Sequence, residues 1–201
     1  MAEITAATVK ALRDQTGAGM MDCKRVLQDA DGDIKRAVEL LRERGLAKAG
    51  KRDGRATSEG VIAIALDGGV GGMVELGCET DFVARTDDFG ALADALASVL
   101  LADGSIDSAE ALLEGQIEGE KVADRMTAAI AKLGENVVLK RVVRLEVEGP
   151  GIAGGYVHAG AKLGVLVGLG TPASGPAALV TTPAMSSPSI SMLCSTGSAD
   201  S

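Results

Sequence analysis

Two aliphatic runs, Val61-Ile62-Ala63-Ile64-Ala65-Leu66 and Met73-Val74-Glu75-Leu76-Gly77-Cys78, flank the string Asp67-Gly68-Gly69-Val70-Gly71-Gly72. A string so rich in glycine can only turn, so the two runs are held to an antiparallel hairpin and the fold must be built around it. Downstream, Phe89, Leu92, Leu96, Val99 and Leu100 fall at helical spacing behind a cap at Thr86 or Asp87. Val122, Met126, Ile130 and Leu133 mark a second helix, closed by Gly134. The β-branched run Val137–Val147 comes next, then strand-like stretches at Tyr156–Ala159 and Leu163–Leu169. Hairpin, helices and strands in that order predict an α+β domain with a mostly antiparallel sheet.

Upstream of the hairpin the period is helical throughout. Thr5 can cap a helix over 5–16 that carries Val9 and Leu12 on one face and ends at Gly17. Met20, Cys23, Leu27 and Ala30 mark a second helix, stopped by Gly32, and Asp33 caps a third with Ile34, Ala37, Val38 and Leu41 on one face, up to Gly45. Residues 1–46 are thus expected to form a three-helix docking module close to the lower size limit for independent folding. Lys48, Lys51, Arg52 and Arg55 stand among small polar residues without apolar period, so 47–59 is expected to be a solvated linker and 60–170 the α+β core. Residues 171–201 hold four of the five prolines, are full of Ser, Thr and Ala, and are expected to be disordered.

The core has to be aliphatic, because the chain has no Trp, one Tyr and two Phe, Phe82 and Phe89. A net charge of -8 argues against direct binding to nucleic acid, whose phosphates require a basic surface, and favours a protein partner. No leader pattern succeeds Met1 and no apolar run is long enough to span a bilayer, so no membrane association is expected and the chain reads as cytoplasmic. Cys23, Cys78 and Cys194 are far apart and His158 is the single histidine, which argues against a disulfide framework, a zinc site or any other metal site.

Three motifs invite a chemical reading. Gly149-Pro150-Gly151-Ile152-Ala153-Gly154 matches a dinucleotide-loop pattern, but the next residues, Gly155-Tyr156-Val157-His158, read as a strand where such a loop must open a helix. Cys78, His158 and Asp81 are residue types that could form a nucleophilic triad, yet nothing in their spacing supports one, and no catalytic residue is expected. The third is Cys78-Glu79-Thr80-Asp81-Phe82-Val83-Ala84-Arg85, where a strand gives way to a helix and a scarce aromatic ring stands among polar neighbours. Such a ring is either ordinary core or an interface anchor carried on a loop between rigid elements.

The opening Ile4-Thr5-Ala6 with Val9-Lys10 and Leu12-Arg13, the run Thr16-Gly17-Ala18-Gly19-Met20-Met21-Asp22-Cys23-Lys24, and Gly32-Asp33-Ile34 resemble the elongation factor Ts family. So do Thr80-Asp81-Phe82-Val83-Ala84, Leu133-Gly134-Glu135-Asn136, and Tyr156 with His158 ahead of Gly164-Val165-Leu166-Val167. These words keep their order over residues 1–169. The resemblance implies a ubiquitin-associated-like helical domain followed by an antiparallel core, and a guanine nucleotide exchange factor that acts on elongation factor Tu without a cofactor or active site of its own. It implies that Arg13, Met20 and Met21 dock on the partner's nucleotide domain. Asp81 and Phe82, within Thr80–Val83, would insert between partner helices near the magnesium and nucleotide, and Leu133, Gly134 and His158 would make further contacts.

One departure from the family pattern comes after Leu169. The family continues with a helix and more chain that complete the second half of the core, whereas Thr171-Pro172-Ala173-Ser174-Gly175-Pro176 leads here into the featureless tail. The second half of the core is therefore expected to be truncated, either in a short variant that completes its sheet as a homodimer or through a reading frame shifted or cut near residue 170. The alternative to exchange is a stand-alone protein-interaction module with impaired exchange activity.

Overall fold

The computed structural model describes residues 4–52, 54–170 and, for the backbone, 178–186. The chain divides into two units, Met1–Ala56 with Asp124–Val137, and Thr57–Ala123 with Val138–Ser201.

In the first unit the caps predicted from sequence do what their chemistry requires. Helix α1 (Ala6–Thr16) starts with the Thr5 hydroxyl accepting the Thr8 N–H, and ends on Gly17, whose φ of +66° lets its N–H reach the Arg13 carbonyl. Helix α2 spans Met20–Asp29, and α3 spans Ile34–Arg52 with the Asp33 carboxylate accepting the Lys35 and Arg36 N–H groups. Val9, Leu12, Cys23, Val26, Leu27 and Ala37 close the core between them. Each fully buried leucine contributes about 1.5–3 kcal/mol.

Two expectations are corrected here. Helix α3 does not stop at Gly45 but runs on to Arg52, so much of the expected 47–59 linker is helical. Helix α7 (Val122–Leu133), expected to belong with the 60–170 core, contributes Asp124 onward to this first unit. The two corrections share one cause. A Cβ at Gly45 would lie 3.5 Å from the Ala131 side chain and 3.9 Å from that of Thr127, so glycine serves there as a contact surface for α7 and not as a stop. Arg42 pairs with Asp124 at 2.6 Å, and Arg52 Nη1 donates to the Ile130 carbonyl at 3.3 Å.

The second unit is the α+β body. Strands β1 (Glu59–Asp67) and β2 (Val70–Cys78) form the predicted hairpin, in register from Asp67 opposite Val70 to Glu59 opposite Cys78, so the turn is the two residues Gly68-Gly69. A one-turn helix α4 (Asp81–Ala84) and the long α5 (Asp87–Ala102) come next, and then two elements too short to show a period: α6 (Ala109–Glu114) and the small hairpin of β3 (Gln116–Ile117) and β4 (Glu120–Lys121). β5 (Val137–Glu146) completes a three-stranded sheet ordered β1-β2-β5. β6 (Gly151–Val157), β7 (Leu163–Gly170) and β8 (Ala178–Ser186) make a second one.

Central strand β2 is covered on both faces, and its alternation shows by what. Met73 packs into a core with Ile62, Leu145, Ala153 and Leu166, which joins the two sheets. Residue 72 faces the other way, where a Cβ would sit 2.9 Å from the Ala97 carbonyl oxygen of α5, so only glycine lets that helix lie so close. Glu75 is 5% exposed and lies on β2 beside two cations of β5, with Arg141 at 2.5 Å and Lys140 at 3.6 Å.

Strand β8 corrects the expectation of a featureless 171–201 tail. It pairs antiparallel with β7 along its whole length, with one irregularity between Gly164 and Leu166. There Pro183 and Ala184 oppose Val165 alone, a bulge on an edge strand, which is where a residue without an N–H can be placed in a sheet. The rest of the expected tail, 171–177 and 187–201, lies outside the described residues.

Candidate functional site

The segment between β2 and α5 is built from two successive caps. The Thr80 hydroxyl accepts the Val83 N–H and starts α4, and the Thr86 hydroxyl accepts the Phe89 N–H at 3.3 Å and starts α5 while donating to the Val83 carbonyl at 2.8 Å. Of the two cap candidates for α5, Thr86 is the one used. The Cys78 thiol donates to the Thr80 carbonyl at 3.2 Å, which ties the turn back to the sheet. Val83 points inward and is buried, as is Phe89.

This double-capped turn leaves one side chain with nowhere to go but outward. Phe82 is 82% exposed, the most exposed of the large apolar residues in the described chain. Asp81, directly before it, pairs with Arg85 one turn later at 3.0 Å in an exposed ion pair. Holding a phenyl ring in water forgoes the burial that a Phe side chain normally gains, about 1.5–3 kcal/mol.

The predicted site residues fall on both units. The first carries Arg13 on α1, Met20 and Met21 at the start of α2, and Leu133 and Gly134 at the end of α7. Met20 and Met21 are 53% and 59% exposed, and Arg13 is exposed as well. Within that unit the α7 end meets the turn before α2, because a Cβ at Gly17 would lie 3.5 Å from the stem of Lys132. Gly134, at φ +80°, donates its N–H to the Ile130 carbonyl and closes α7. The corner after it is held by Asn136, a buried amide that donates to the Arg55 carbonyl at 2.9 Å.

The second unit carries Thr80, Asp81, Phe82, Val83 and His158. His158 lies just after β6 in the turn to β7, and that turn is anchored at the same end of the β1–β2 hairpin as the Phe82 segment: Ile62 donates its N–H to the Ala161 carbonyl at 2.7 Å, and Lys162 pairs with Glu59, which lies opposite Cys78. The exposed His158 is thus brought to the end of the sheet from which Phe82 projects. Val83 alone of the predicted contacts is buried, its residue 9% exposed.

The residues of the other chemical motifs are placed by the strands and their turns. Residues Gly151–Gly154 of the glycine-rich pattern are the start of strand β6. Cys78 has no exposure, and the His158 Nδ1 faces the Tyr156 hydroxyl, so sulfur and imidazole are not hydrogen-bonded to one another. Burial pushes the Cys23 thiol up from its ordinary range, which keeps it protonated inside the helical core. Among the described residues no cluster of three or more His, Cys, Asp or Glu side chains could hold a metal, and no helix is long and apolar enough to cross a membrane.

Two polar arrangements were not singled out in the sequence, the Glu75 cluster and the Tyr156–His158 contact. Glu75 had a signal in its opposite charges on β5, Lys140 and Arg141, and Tyr156 had one in the Y-x-H spacing, which on a strand puts hydroxyl and imidazole on one face.

Phe82, Met20 and Met21 are thus large apolar side chains held in solvent, Phe82 on a turn capped by Thr80 and Thr86 and the two methionines at the first turn of α2. The family model described as Elongation factor TS matches residues 79–187, which takes in the Phe82 segment and continues through β8. The family match therefore reaches past residue 169, where the words read from sequence end. An Elongation factor Ts of Chlorobium phaeobacteroides is 49% identical over 177 residues, covering 84% of this chain and 60% of the relative. Proteins of the same name from Nitratiruptor and Rhodospirillum rubrum are 45% and 47% identical and are covered over 54% and 56% of their lengths. The chain belongs to the elongation factor Ts family. It spans between half and three fifths of the length of these relatives.

Proposed function

We propose that this chain is a guanine nucleotide exchange factor that binds elongation factor Tu and promotes GDP release during translation elongation by inserting Asp81 and Phe82 near the magnesium and nucleotide. The observation that carries the reading is the 82% exposure of Phe82 on a turn capped at both ends. Bound GDP depends on a magnesium ion whose near-octahedral geometry tolerates little displacement, and on loop amides aimed at its phosphates. A rigid ring that displaces a supporting helix by about an ångström weakens both at once. Arg13, Met20, Met21, Leu133 and Gly134 supply docking area on the helical unit, where methionine's flexible thioether suits a surface that has to adapt.

No energy source is needed on this chain, because linkage is reciprocal: a factor that loosens nucleotide is itself loosened by nucleotide. The test is titration of the chain into elongation factor Tu in its empty and GDP-loaded states. We expect binding to the empty state to be tighter by about tenfold or more. Equal affinity for both states would leave a docking module without exchange activity.

A further inference from the structure

We infer that Tyr156 is a positioning residue for His158, its hydroxyl fixing the imidazole so that Nε2–H is presented to the partner protein; this rests on the exchange reading for the partner's identity. Tyr156, exposed near the end of β6, and His158, exposed just after it, stand two residues apart, with the Tyr156 oxygen 3.0 Å from Nδ1 and the ring centroids 6.1 Å apart at a tilt of 56°. They are the chain's sole tyrosine and sole histidine.

The backbone at His158 is already fixed. Its N–H donates to the Leu163 carbonyl at 2.8 Å, its carbonyl accepts the Ala161 N–H at 2.9 Å, and the Ala161 carbonyl is held by Ile62 of β1 at 2.7 Å. What remains free is rotation of the imidazole and the choice of which nitrogen carries the proton. The hydroxyl settles both. A phenol is the better donor and an unprotonated imidazole nitrogen the better acceptor, so O–H···Nδ1 is the favoured sense, and the proton of the neutral ring is left on Nε2. Tyr156 stands directly opposite Val165 in the β6–β7 register. Nε2 has no hydrogen-bond partner among the described residues, and it lies at the sheet end from which Phe82 projects. A donor of fixed direction costs less entropy to engage than a freely rotating one.

Tyr156→Phe keeps the exposed ring and removes only the hydroxyl, so the fold is retained. In a stopped-flow measurement of fluorescent GDP leaving elongation factor Tu, this variant is expected to reduce the acceleration given by the chain by about threefold. In a His158→Ala background the same change is expected to do nothing further, because Tyr156 acts through the imidazole. An unchanged rate in the first background, or an equal fall in both, would overturn the inference. Nitrogen-15 spectra of the chain alone, in alkaline buffer where imidazoles are neutral, give a readout that needs no partner. One tautomer, protonated at Nε2, is expected, relaxing to a mixture in Tyr156→Phe. An unaltered tautomer ratio would overturn the inference even if exchange occurs, whereas a wild-type chain that fails to accelerate GDP release would count against the exchange reading and leave the tautomer result to decide this one.

Discussion

Phe82→Ala is expected to slow the chain's stimulation of GDP release from elongation factor Tu by about tenfold or more, while leaving the chain's own melting temperature within about 2 °C of wild type. The two halves of that result have one origin. The ring is 82% exposed, so removing it takes almost nothing from the chain's core, and substitutions at such positions change stability by less than about 0.5 kcal/mol. In a complex the same ring would be fully desolvated in a pocket, and truncating an anchor of that kind costs about 2 kcal/mol or more. A tenfold loss corresponds to about 1.4 kcal/mol, so the expectation is the low end of what an aromatic anchor delivers. A fall in stability with no change in exchange would mean that Phe82 serves its own fold and not a partner.

The opposite pattern is expected at Glu75. Its carboxylate is buried beside Arg141 at 2.5 Å and Lys140 at 3.6 Å, and Glu75→Ala would take away the anion that these two half-buried cations share. Breaking one side of such a cluster costs about 3 kcal/mol, which for a chain of this size lowers the melting temperature by about 6–12 °C. The charge itself is not what the sheet requires. Glu75→Leu combined with Arg141→Leu is expected to recover most of that loss, because well-packed apolar residues replace a buried ion pair at little or no cost. Thermal unfolding followed by circular dichroism measures all three chains. A single variant that melts with the wild type would show that water already screens the cluster.

These contrasts show which parts of the molecule its residues disclose. Thr5, Gly17, Asp33 and Thr86 act within a few residues of themselves, through hydroxyls, carboxylates and positive φ, and the helix starts and stops they predict are found. The hairpin is equally local, since Gly68-Gly69 leaves β1 and β2 no other way to meet. The extension of α3 was not legible because Gly45 reads locally as a stop, and its contact with Ala131 lies far along the chain. Strand β8 was hidden by Pro183, which on a central strand would be disqualifying but is accommodated at an edge by a bulge.

The candidate site shows the same division. The word Thr80–Ala84 could be recognised in the sequence, but whether Phe82 is buried or exposed depends on which way one turn of helix faces, and that goes with Val83 turning in and with the caps on either side. The exposure of Met20 and Met21 likewise stems from their position at the first turn of α2, where Cys23, Val26 and Leu27 take the inward face.

Phe82 and Phe89 are the only two phenylalanines, one in solvent and one fully buried, so a chain labelled with 4-fluorophenylalanine offers one probe of each kind. The fluorine resonances and their shift between light and heavy water, recorded with and without nucleotide-free elongation factor Tu, report directly on whether the ring at 82 is inserted. At position 82 the solvent-dependent shift should vanish when the partner is added, while the signal of position 89 stays where it was. A ring at 82 that remains as wet in the complex as in the free chain would refute insertion.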